Sequence, residues 1–170
     1  MGRIEGWNGR KRRYSCSRMR RTRTVAPPNT NTNTSDAQTD GVYTRSVGQV
    51  MSRPVETVAP TTSLRTAAAT MIERDLGAVV LVDDDDRPVG ILTGTDLVAL
   101  VADGGVDDDA TVADVGRTEV VTTTRDTSAP AAAATMIDHL IHHLPVVDDE
   151  GAVVGLVSSL DFAAELARTR

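Results

Sequence analysis

Residues 67–72 read AAATMI, and the same six letters return 65 positions later at residues 132–137. Two further stretches repeat at this offset: VDD at 82–84 and 147–149, and GILTGTD at 90–96, which returns as GLVSSLD at 155–161. The comparison needs no insertion or deletion. A fixed offset over this length indicates two copies of one folding unit. Since each copy is too short to bury a large core alone, we expect the copies to pack on one another.

Charge divides the chain into two parts. Residues 1–46 carry ten Lys or Arg against three acids, about +7, whereas residues 47–170 carry eight against twenty-one, about −13. The first part lacks hydrophobic periodicity and contains the run NTNTNT, so its burial cannot offset the entropy lost on ordering. We therefore predict a disordered basic tail at 1–46, a first repeat at 47–105 and a second repeat at 106–170.

The basic tail has more than one interpretation. Its Arg and Lys clusters suit contact with nucleic acid or another anionic surface. Met19 and Met51 offer later starts, so an overlong gene prediction or a tail without function is the favoured alternative. No apolar stretch of signal-peptide length follows the basic residues, no window reaches the length of a membrane span, and the single Cys16 excludes a disulfide within one chain. We expect a cytoplasmic protein without a membrane span.

The body is rich in acids and poor in lysine. Lys11 is the only lysine of the chain and stands against seventeen arginines. Such a composition is typical of a salt-adapted organism, in which carboxylates keep the surface hydrated and salt screens their repulsion. A GC-rich genome gives the same bias, and the sequence does not separate the two explanations.

Each repeat has the local pattern of a β-α-β-β-α unit. In the first repeat, β-prone residues 55–58 precede an apolar helical stripe at positions 64, 67, 68, 71 and 72. Two strands at 78–82 and 89–92, joined by a turn at 83–87, lead to a helix at 97–101. The second repeat predicts the same order at 120–121, 129–137, 144–147, 153–157 and 162–167. Thr127 or Ser128 caps its first helix, with Pro130 in the first turn.

The repeated motifs carry a resemblance to a known family. Both copies contain a hydrophobic-Val-Asp turn and a Gly-hydrophobic-hydrophobic-Thr/Ser-x-x-Asp ending. The second copy has LPVVD at 144–148, where the first has Val80 in place of the proline; the first opens with VMSRP at 50–54, where the second has VGRTE. Residues 47–167 thus resemble a tandem pair of CBS (cystathionine beta-synthase) domains. The resemblance implies an α/β fold of two repeats packed in a pseudo-twofold fashion, with clefts between them that bind adenosine-containing ligands.

Two matching sets of polar residues are the expected ligand contacts. Thr93 and Asp96 lie at a strand-to-helix transition, as do Ser158 and Asp161, and the N–H groups at a helix start favour a phosphate. Each aspartate would accept hydrogen bonds from the ribose hydroxyls. The same spacing is also that of a capping box, which satisfies a helix end without any ligand. The two roles can coexist.

The resemblance also assigns residues to the adenine and the phosphate. The adenine would contact Met51, Val55 and Leu76 in one cleft, and Val121 and Ile141 in the other. Ordinary core packing explains these five apolar residues equally well. His142, whose counterpart is Gly77, would turn a polar group toward the phosphate and make the two clefts unequal.

Metal-dependent and catalytic functions find little support. His139, His142 and His143 have helical spacing but no fourth ligand, so we expect solvent-facing histidines and no metal site. The acidic runs at 83–86 and 107–109 lack the spacing and the glycine of an EF-hand. No nucleophile elbow, P-loop, dinucleotide fingerprint or paired cysteine ligands occur. We expect a protein that is not an enzyme and requires no cofactor.

Two hypotheses of function follow. In the first, AMP, ADP, ATP or S-adenosylmethionine binds between the repeats and the protein signals to a partner protein in trans. In the second, the chain is a non-catalytic dimerisation or interaction scaffold whose basic tail contacts nucleic acid. Apolar helix positions around Leu97, Leu100, Phe162 and Leu166 suggest a homodimer.

Overall fold

The computed structural model describes residues 21–24, 45–105 and 107–168, and of residues 21–24 only the backbone. The elements follow in the order β1 (Arg21–Thr24), α1 (Val47–Val50), β2 (Thr57–Val58), α2 (Leu64–Glu73), β3 (Ala78–Val82), β4 (Pro88–Thr93), α3 (Gly94–Ala102), α4 (Val112–Val115), β5 (Glu119–Thr124), α5 (Ala129–His139), β6 (His143–Val147), β7 (Val153–Ser158) and α6 (Ser159–Arg168). The predicted β-α-β-β-α order is confirmed in both repeats.

Each repeat contributes one sheet. The first sheet has the order β2-β3-β4, and the second has the order β1-β5-β6-β7. In both, a parallel pair precedes an antiparallel hairpin: β2 and β5 run parallel to β3 and β6, which run antiparallel to β4 and β7. Within the described ranges, no helix is long and apolar enough to cross a membrane.

Side chains of two aspartates shape the hairpin turns. The Oδ1 atom of Asp83 accepts hydrogen bonds from the N–H groups of Asp85 (3.0 Å) and Arg87 (2.9 Å) between β3 and β4. Asp148 plays the matching part between β6 and β7, where it accepts from the N–H of Ala152 (2.8 Å). Such local bonds are the reason that Asp favours turns. The acidic residues at these positions therefore have a structural role in the fold.

Helices α2 and α5 both begin at serine caps, and for α5 the cap is Ser128, one of the two residues that the sequence predicts. The hydroxyl of Ser63 accepts from the N–H of Thr66 (3.1 Å), and Ser128 accepts from the N–H of Ala131 (3.3 Å). The buried faces of the two helices consist of Leu64, Ala67 and Met71 in α2 and Ala129, Ala132 and Met136 in α5.

The predicted stripe of α2 is wrong at one end. Ile72 is 83% exposed, and its counterpart Ile137 is 72% exposed. A helix turns by about 100° per residue, so the side chain after buried Met71 is carried away from the sheet. Both repeats consequently leave a large apolar side chain uncovered at the same helical position.

The two repeats exchange their opening segments, which begin with α1 in the first repeat and with α4 in the second. Val47 of α1 donates its N–H to the carbonyl of Thr127 in the second repeat (2.8 Å), and Val112 of α4 donates to the carbonyl of Thr62 in the first (2.9 Å). One core accordingly contains Val47 and Met51 with seven residues of the second repeat: Ala129, Ala132, Met136, Leu144, Val146, Val157 and Phe162. The other contains Val112 with six residues of the first: Leu64, Ala67, Met71, Val79, Leu81 and Leu92. Each repeat thus completes the core of the other.

Isolated β-bridges between the repeats follow the same symmetry. They form two pairs that the 65-residue offset exchanges: Ser46–Ser128 with Ser63–Thr111, and Ser52–Leu156 with Ile91–Arg117. Equivalent segments therefore make equivalent contacts in both directions. This is the arrangement expected for repeats related by a pseudo-twofold axis.

Several predicted bounds shift in the structure. The first strand of the first repeat shortens from 55–58 to Thr57–Val58, whereas β5 extends to Glu119–Thr124. The last helix of each repeat begins three residues before the predicted start, at Gly94 and Ser159. Polar capping residues start these helices directly after the preceding strand. The predicted starts are later because they rest on the spacing of apolar residues alone.

Two segments within the range predicted to be a disordered tail, residues 1–46, are described by the structure. Arg21–Thr24 form β1, which pairs in parallel with residues 119–122 of β5 and so satisfies backbone groups at that sheet edge. Arg45 and Ser46 belong to the body: the carbonyl of Arg45 accepts from the N–H of Ala129 (2.8 Å), and Ser46 forms a bridge to Ser128. The predictions for residues 1–20 and 25–44 lie outside the described residues.

Candidate ligand sites between the repeats

Two matching sites lie where the last helix of one repeat begins beside the opening segment of the other. The first site comprises Gly77, Thr93, Asp96 and Arg117; the second comprises Ser52, His142, Ser158 and Asp161. In the first site the N–H of Gly94 donates to the carbonyl of Gly77 (3.1 Å), and in the second the N–H of Ser159 donates to the carbonyl of His142 (3.0 Å). These bonds fix the start of each helix against the loop that leads into the neighbouring strand.

The predicted aspartates are held by capping boxes in both sites. The Oδ2 atom of Asp96 accepts from the N–H (2.9 Å) and the hydroxyl (2.5 Å) of Thr93, whose hydroxyl oxygen accepts from the N–H of Asp96 (3.3 Å). Asp161 repeats this arrangement with Ser158 at 2.7, 2.7 and 3.3 Å. The capping role considered from the sequence is confirmed for both residues. It uses one oxygen of each carboxylate.

Another capping box lies at the start of α4. Asp114 accepts from the N–H (2.8 Å) and the hydroxyl (2.7 Å) of Thr111. These hydrogen bonds, from the backbone first and the side chain second, hold the pKa of Asp114 below its ordinary value. Asp114 belongs to neither candidate site, so it offers a comparison for the capping contribution alone.

The second oxygen of each aspartate faces the opening segment of the other repeat. The Oδ1 atom of Asp96 lies 2.9 Å from the Nε atom of Arg117, and the Asp96 side chain is only 11% exposed. The Oδ1 atom of Asp161 lies 3.4 Å from the hydroxyl of Ser52, a long contact. Ser52 and Arg117 are counterparts at the 65-residue offset. Neither was predicted as a site residue, although the difference between VMSRP and VGRTE is the signal that could have identified them.

The two histidines before and at the start of β6 differ in their surroundings. His142, predicted to face a phosphate, is exposed, with its Nδ1 atom 3.5 Å from the hydroxyl of Ser159 at the start of α6. His143 is half-buried, and burial lowers its pKa below the ordinary value; the charge of His142 acts in the same direction, whereas Asp161 raises it. His143 also lies against Gly77 of the first site. Sequence reasoning missed this contact, although a Gly-Ala pair at 77–78 stands where the second repeat has His-His.

The predicted adenine contacts divide between the two cores. Val55, Leu76, Val121 and Ile141 are half-buried, and Met51 is 8% exposed. Met51 packs in the same core as Val121 and Ile141, whereas Leu76 packs against the other core. The structure thus places Met51 in a core with Val121 and Ile141 and not with Leu76, because the opening segment that carries Met51 crosses to the second repeat. The Met51 side chain lies against Gly155 of β7.

Other polar clusters show no metal-binding geometry. Across the described ranges, no three His, Cys, Asp or Glu side chains are arranged to hold a metal ion. The Nδ1 atom of His139 lies 3.0 Å from the carbonyl of Thr135 in its own helix. A cavity of about 380 Å³ is lined by Thr57, Val58, Ala59, Pro60, Thr61, Val82, Asp83 and Asp84. It contains none of the predicted site residues and lies at the end of β3 opposite to Gly77.

Space is available beside the start of α3. A Cβ atom built on Gly94 would meet no atom within 4 Å, so the backbone at this helix start is approachable. Helix N-termini attract anions through their N–H groups and the helix dipole. The equivalent position in the second site is Ser159, which is exposed.

Comparisons with known proteins agree with this architecture. The CBS domain family model matches residues 47–103 and 112–168. The uncharacterized protein MK0525 of Methanopyrus kandleri is 38% identical over 117 residues, which span 68% of this chain and 60% of that protein. The chain thus covers less than two thirds of that relative's length.

Two solved structures show how similar folds are occupied. The CBS domain pair of protein MJ0100, in complex with 5'-methylthioadenosine and S-adenosyl-L-methionine, is 27% identical with a TM-score of 0.67, covering 74% of this chain and 98% of that one. The CBS domain protein PAE2072 of Pyrobaculum aerophilum, complexed with AMP, is 26% identical with a TM-score of 0.64, covering 72% and 98%. With both repeats matched by the family model and the fold shared with such pairs, the chain belongs to the CBS domain family and contains a tandem pair of its domains.

Proposed function

We propose that this chain is a regulatory module that binds an adenosine-containing ligand between its two repeats. The observation that carries the proposal is the capped aspartate of the second site. Asp161 is fixed at the start of α6 through Oδ2, while its Oδ1 atom meets only the long contact to Ser52 among the hydrogen bonds described. An oriented carboxylate oxygen at a helix N-terminus, between two repeats, suits a ribose whose phosphate or other substituent extends toward the helix.

The remaining site residues fit the parts of such a ligand. Ribose hydroxyls donate to Asp161, and the hydroxyl of Ser158 lies beside them. The adenine lies against the half-buried side chains of Val121 and Ile141 and against Met51, which the fold places in the same core. Exposed His142 and half-buried His143 stand on the phosphate side. The first site has Thr93 and Asp96 at the equivalent positions, with Leu76 and Val55 as its predicted apolar residues.

The response to ligand is a change in how the repeats fit together. Each site combines the helix start of one repeat with the opening segment of the other, so a ligand there contacts both repeats at once. A ligand that binds one relative placement of the repeats more tightly shifts the population toward it. A protein partner that recognises that placement is then regulated in trans. The module itself is not catalytic and needs no cofactor.

A homodimer is the proposed assembly. Ile72 and Ile137, at equivalent positions of α2 and α5, are 83% and 72% exposed, and Leu140 at the end of α5 is 86% exposed. Of the expected contact residues, Leu166 is 56% exposed, whereas Phe162 is buried and Leu97 and Leu100 are half-buried against their own core. Because the exposed isoleucines occupy equivalent positions of the two repeats, a second copy can present the same residues to them.

Ligand binding by the capped aspartate can be separated from its capping role. Isothermal titration with AMP and with S-adenosylmethionine would compare the wild type with Asp161→Ala, and Asp114→Ala provides the matched control, since it removes the same kind of cap away from both sites. We expect Asp161→Ala to weaken binding by about 1.5–2 kcal/mol, roughly ten- to thirtyfold, and Asp114→Ala to leave the affinity unchanged. Unchanged affinity in Asp161→Ala and in Asp96→Ala would refute the proposal.

Identification of the ligand precedes that titration. A thermal-shift screen of AMP, ADP, ATP, NAD and S-adenosylmethionine identifies the ligand as the compound that raises the melting temperature, since a ligand specific for the folded state stabilises it. The screen belongs at high salt, where the repulsion among the excess carboxylates of the body is screened.

A further inference from the structure

The two capped aspartates make matching capping bonds and differ in the partner of their second oxygen. Asp96 and Asp161 occupy the same position of the repeat, follow the same strand and use Oδ2 for the same capping bonds. The partner of Oδ1 differs: the Nε atom of Arg117 at 2.9 Å in the first site, and the hydroxyl of Ser52 at 3.4 Å in the second. The sequence difference between the two opening segments therefore determines whether the Oδ1 atom of each carboxylate is available to accept a hydrogen bond from a ligand.

Backbone geometry places these two partners equivalently. Ser52 exchanges hydrogen bonds with Leu156 (2.8 and 3.3 Å), and Arg117 exchanges them with Ile91 (2.9 and 3.0 Å). The backbones of Ser52 and Arg117 thus occupy equivalent positions relative to Asp161 and Asp96, respectively. A short serine leaves the carboxylate approachable, whereas the longer arginine reaches it and forms an ion pair.

The ion pair opposes ligand binding in the first site. Both oxygens of Asp96 are engaged, and its side chain is 11% exposed, so the pair is partly shielded from water. A ribose that takes Oδ1 must displace the Arg117 guanidinium and weaken a charge-assisted hydrogen bond. In the second site, the ribose replaces only a long hydroxyl contact. The loss of one such bond corresponds to at least about a tenfold difference in affinity.

We propose that Arg117 acts as an internal occupant of the first site, so that adenosine ligands fill the second site alone. Resting on the function proposed above, this assigns Arg117 as the residue that determines how many ligands one chain binds. The two opening segments then have different roles. The first leaves room for the ligand at Asp161, whereas the second carries Arg117, which pairs with Asp96 of the first repeat. Occupancy is one ligand per chain, at Asp161.

Exchanging the two counterparts tests the proposal. Isothermal titration with AMP and with S-adenosylmethionine would compare the wild type, Arg117→Ser and Ser52→Arg. We expect one binding event per chain in the wild type and a second in Arg117→Ser, with the added site within about tenfold of the first. Ser52→Arg should weaken the original site by at least about tenfold, because it recreates the ion pair beside Asp161. Adding Asp161→Ala should weaken the single site of the wild type about ten- to thirtyfold, and in Arg117→Ser it should leave the added site at unchanged affinity.

A control separates these effects from a general loss of arginine. Arg65→Ser breaks an ion pair with Asp108 whose partners are 81% and 97% exposed and belong to neither site, so stoichiometry should stay at one. Two equal sites in the wild type, or weaker binding in Arg117→Ser, would overturn the inference and leave the proposed function standing. No binding of either compound by any of these folded variants, checked by circular dichroism, would overturn both.

Discussion

Gly77 lies against the imidazole of His143, so closely that a Cβ atom added to Gly77 would stand 2.9 Å from the Nε2 atom. Gly77 precedes β3 in the first repeat, and His143 begins β6 in the second, so the two strand starts meet across the pseudo-twofold. The first repeat has no side chain here because the second repeat supplies one.

Gly77→Ala is expected to lower the free energy of unfolding by about 1 kcal/mol, because the imidazole must move to admit the methyl group. In a His143→Ala background the same change should be neutral or slightly stabilising, since alanine reduces the entropy of the unfolded chain. Urea unfolding of the four proteins gives a coupling energy, which we expect to exceed about 0.5 kcal/mol. Equal effects in both backgrounds would contradict the contact.

His143 makes stability depend on pH. Since burial lowers its pKa in the folded state, the unfolded chain binds more protons once the pH drops below about 6.5, the ordinary pKa of histidine. Stability contributed by the neutral imidazole is therefore complete above that value and declines as the pH falls toward the lowered pKa of the folded state. Urea unfolding at pH 7.5 and 5.5 should show a larger loss for the wild type than for His143→Gln. A parallel loss in the two proteins would rule out this role.

Arg45 and Glu165 connect the start of the body to α6. The Glu165 side chain is 7% exposed, and its Oε1 atom lies 2.9 Å from the Nε atom of Arg45. Arg45→Ala removes one partner of a buried carboxylate and should lower the free energy of unfolding by about 1–2 kcal/mol. Arg65→Ala, which breaks the exposed pair with Asp108, should change it by less than about 0.5 kcal/mol. An equal loss in the free energy of unfolding for the two variants would contradict this prediction.

Self-association should depend on the exposed isoleucines. Replacing both Ile72 and Ile137 by Arg places like charges on the surface proposed to meet a second copy, and sedimentation velocity should then show a shift from dimer to monomer. The melting temperature of the monomer should stay within a few degrees, because exposed positions contribute little to the core. A wild-type protein that sediments as a monomer at all accessible concentrations would refute the dimer.

Removal of residues 1–44 should affect one sheet edge only. Both cores consist of residues between 47 and 162, so the 45–170 fragment should keep its circular dichroism spectrum and its ligand affinity. Backbone amides at 119–122, which β1 covers, should exchange faster with deuterium, whereas those of β6 should not change. Salt-dependent nucleic-acid binding that disappears with the deletion, without any nucleotide binding, would favour the scaffold hypothesis.

Local patterns in the sequence predicted the elements well, and contacts between distant residues account for what they missed. The strand Ala78–Val82 matches its predicted bounds because an unbroken apolar run and a polar turn are local signals. The serine cap of α5 was predicted for the same reason. By contrast, the core that Met51 joins depends on where the opening segment crosses, which no nearby residue specifies.

The candidate sites show the same division. Thr93, Asp96, Ser158 and Asp161 could be found because their motif occurs twice at one place in the repeat. For Arg117 the only sequence signal is the difference between VMSRP and VGRTE, and its role depends on a partner 21 residues away that it meets only when the two repeats come together. His143 was expected to face solvent but is half-buried in β6, because its surroundings include Gly77, which lies in the other half of the chain.

The exchanged first helices have a consequence for the origin of the molecule. A polypeptide with only one copy of this unit could not complete its own core, because α1 and α4 each pack in the core of the other copy. A single-copy ancestor would have folded as an intertwined dimer, in which the first helix of each chain completed the core of the other chain. Gene duplication would then have tied together, in one chain, partners that already depended on each other to fold.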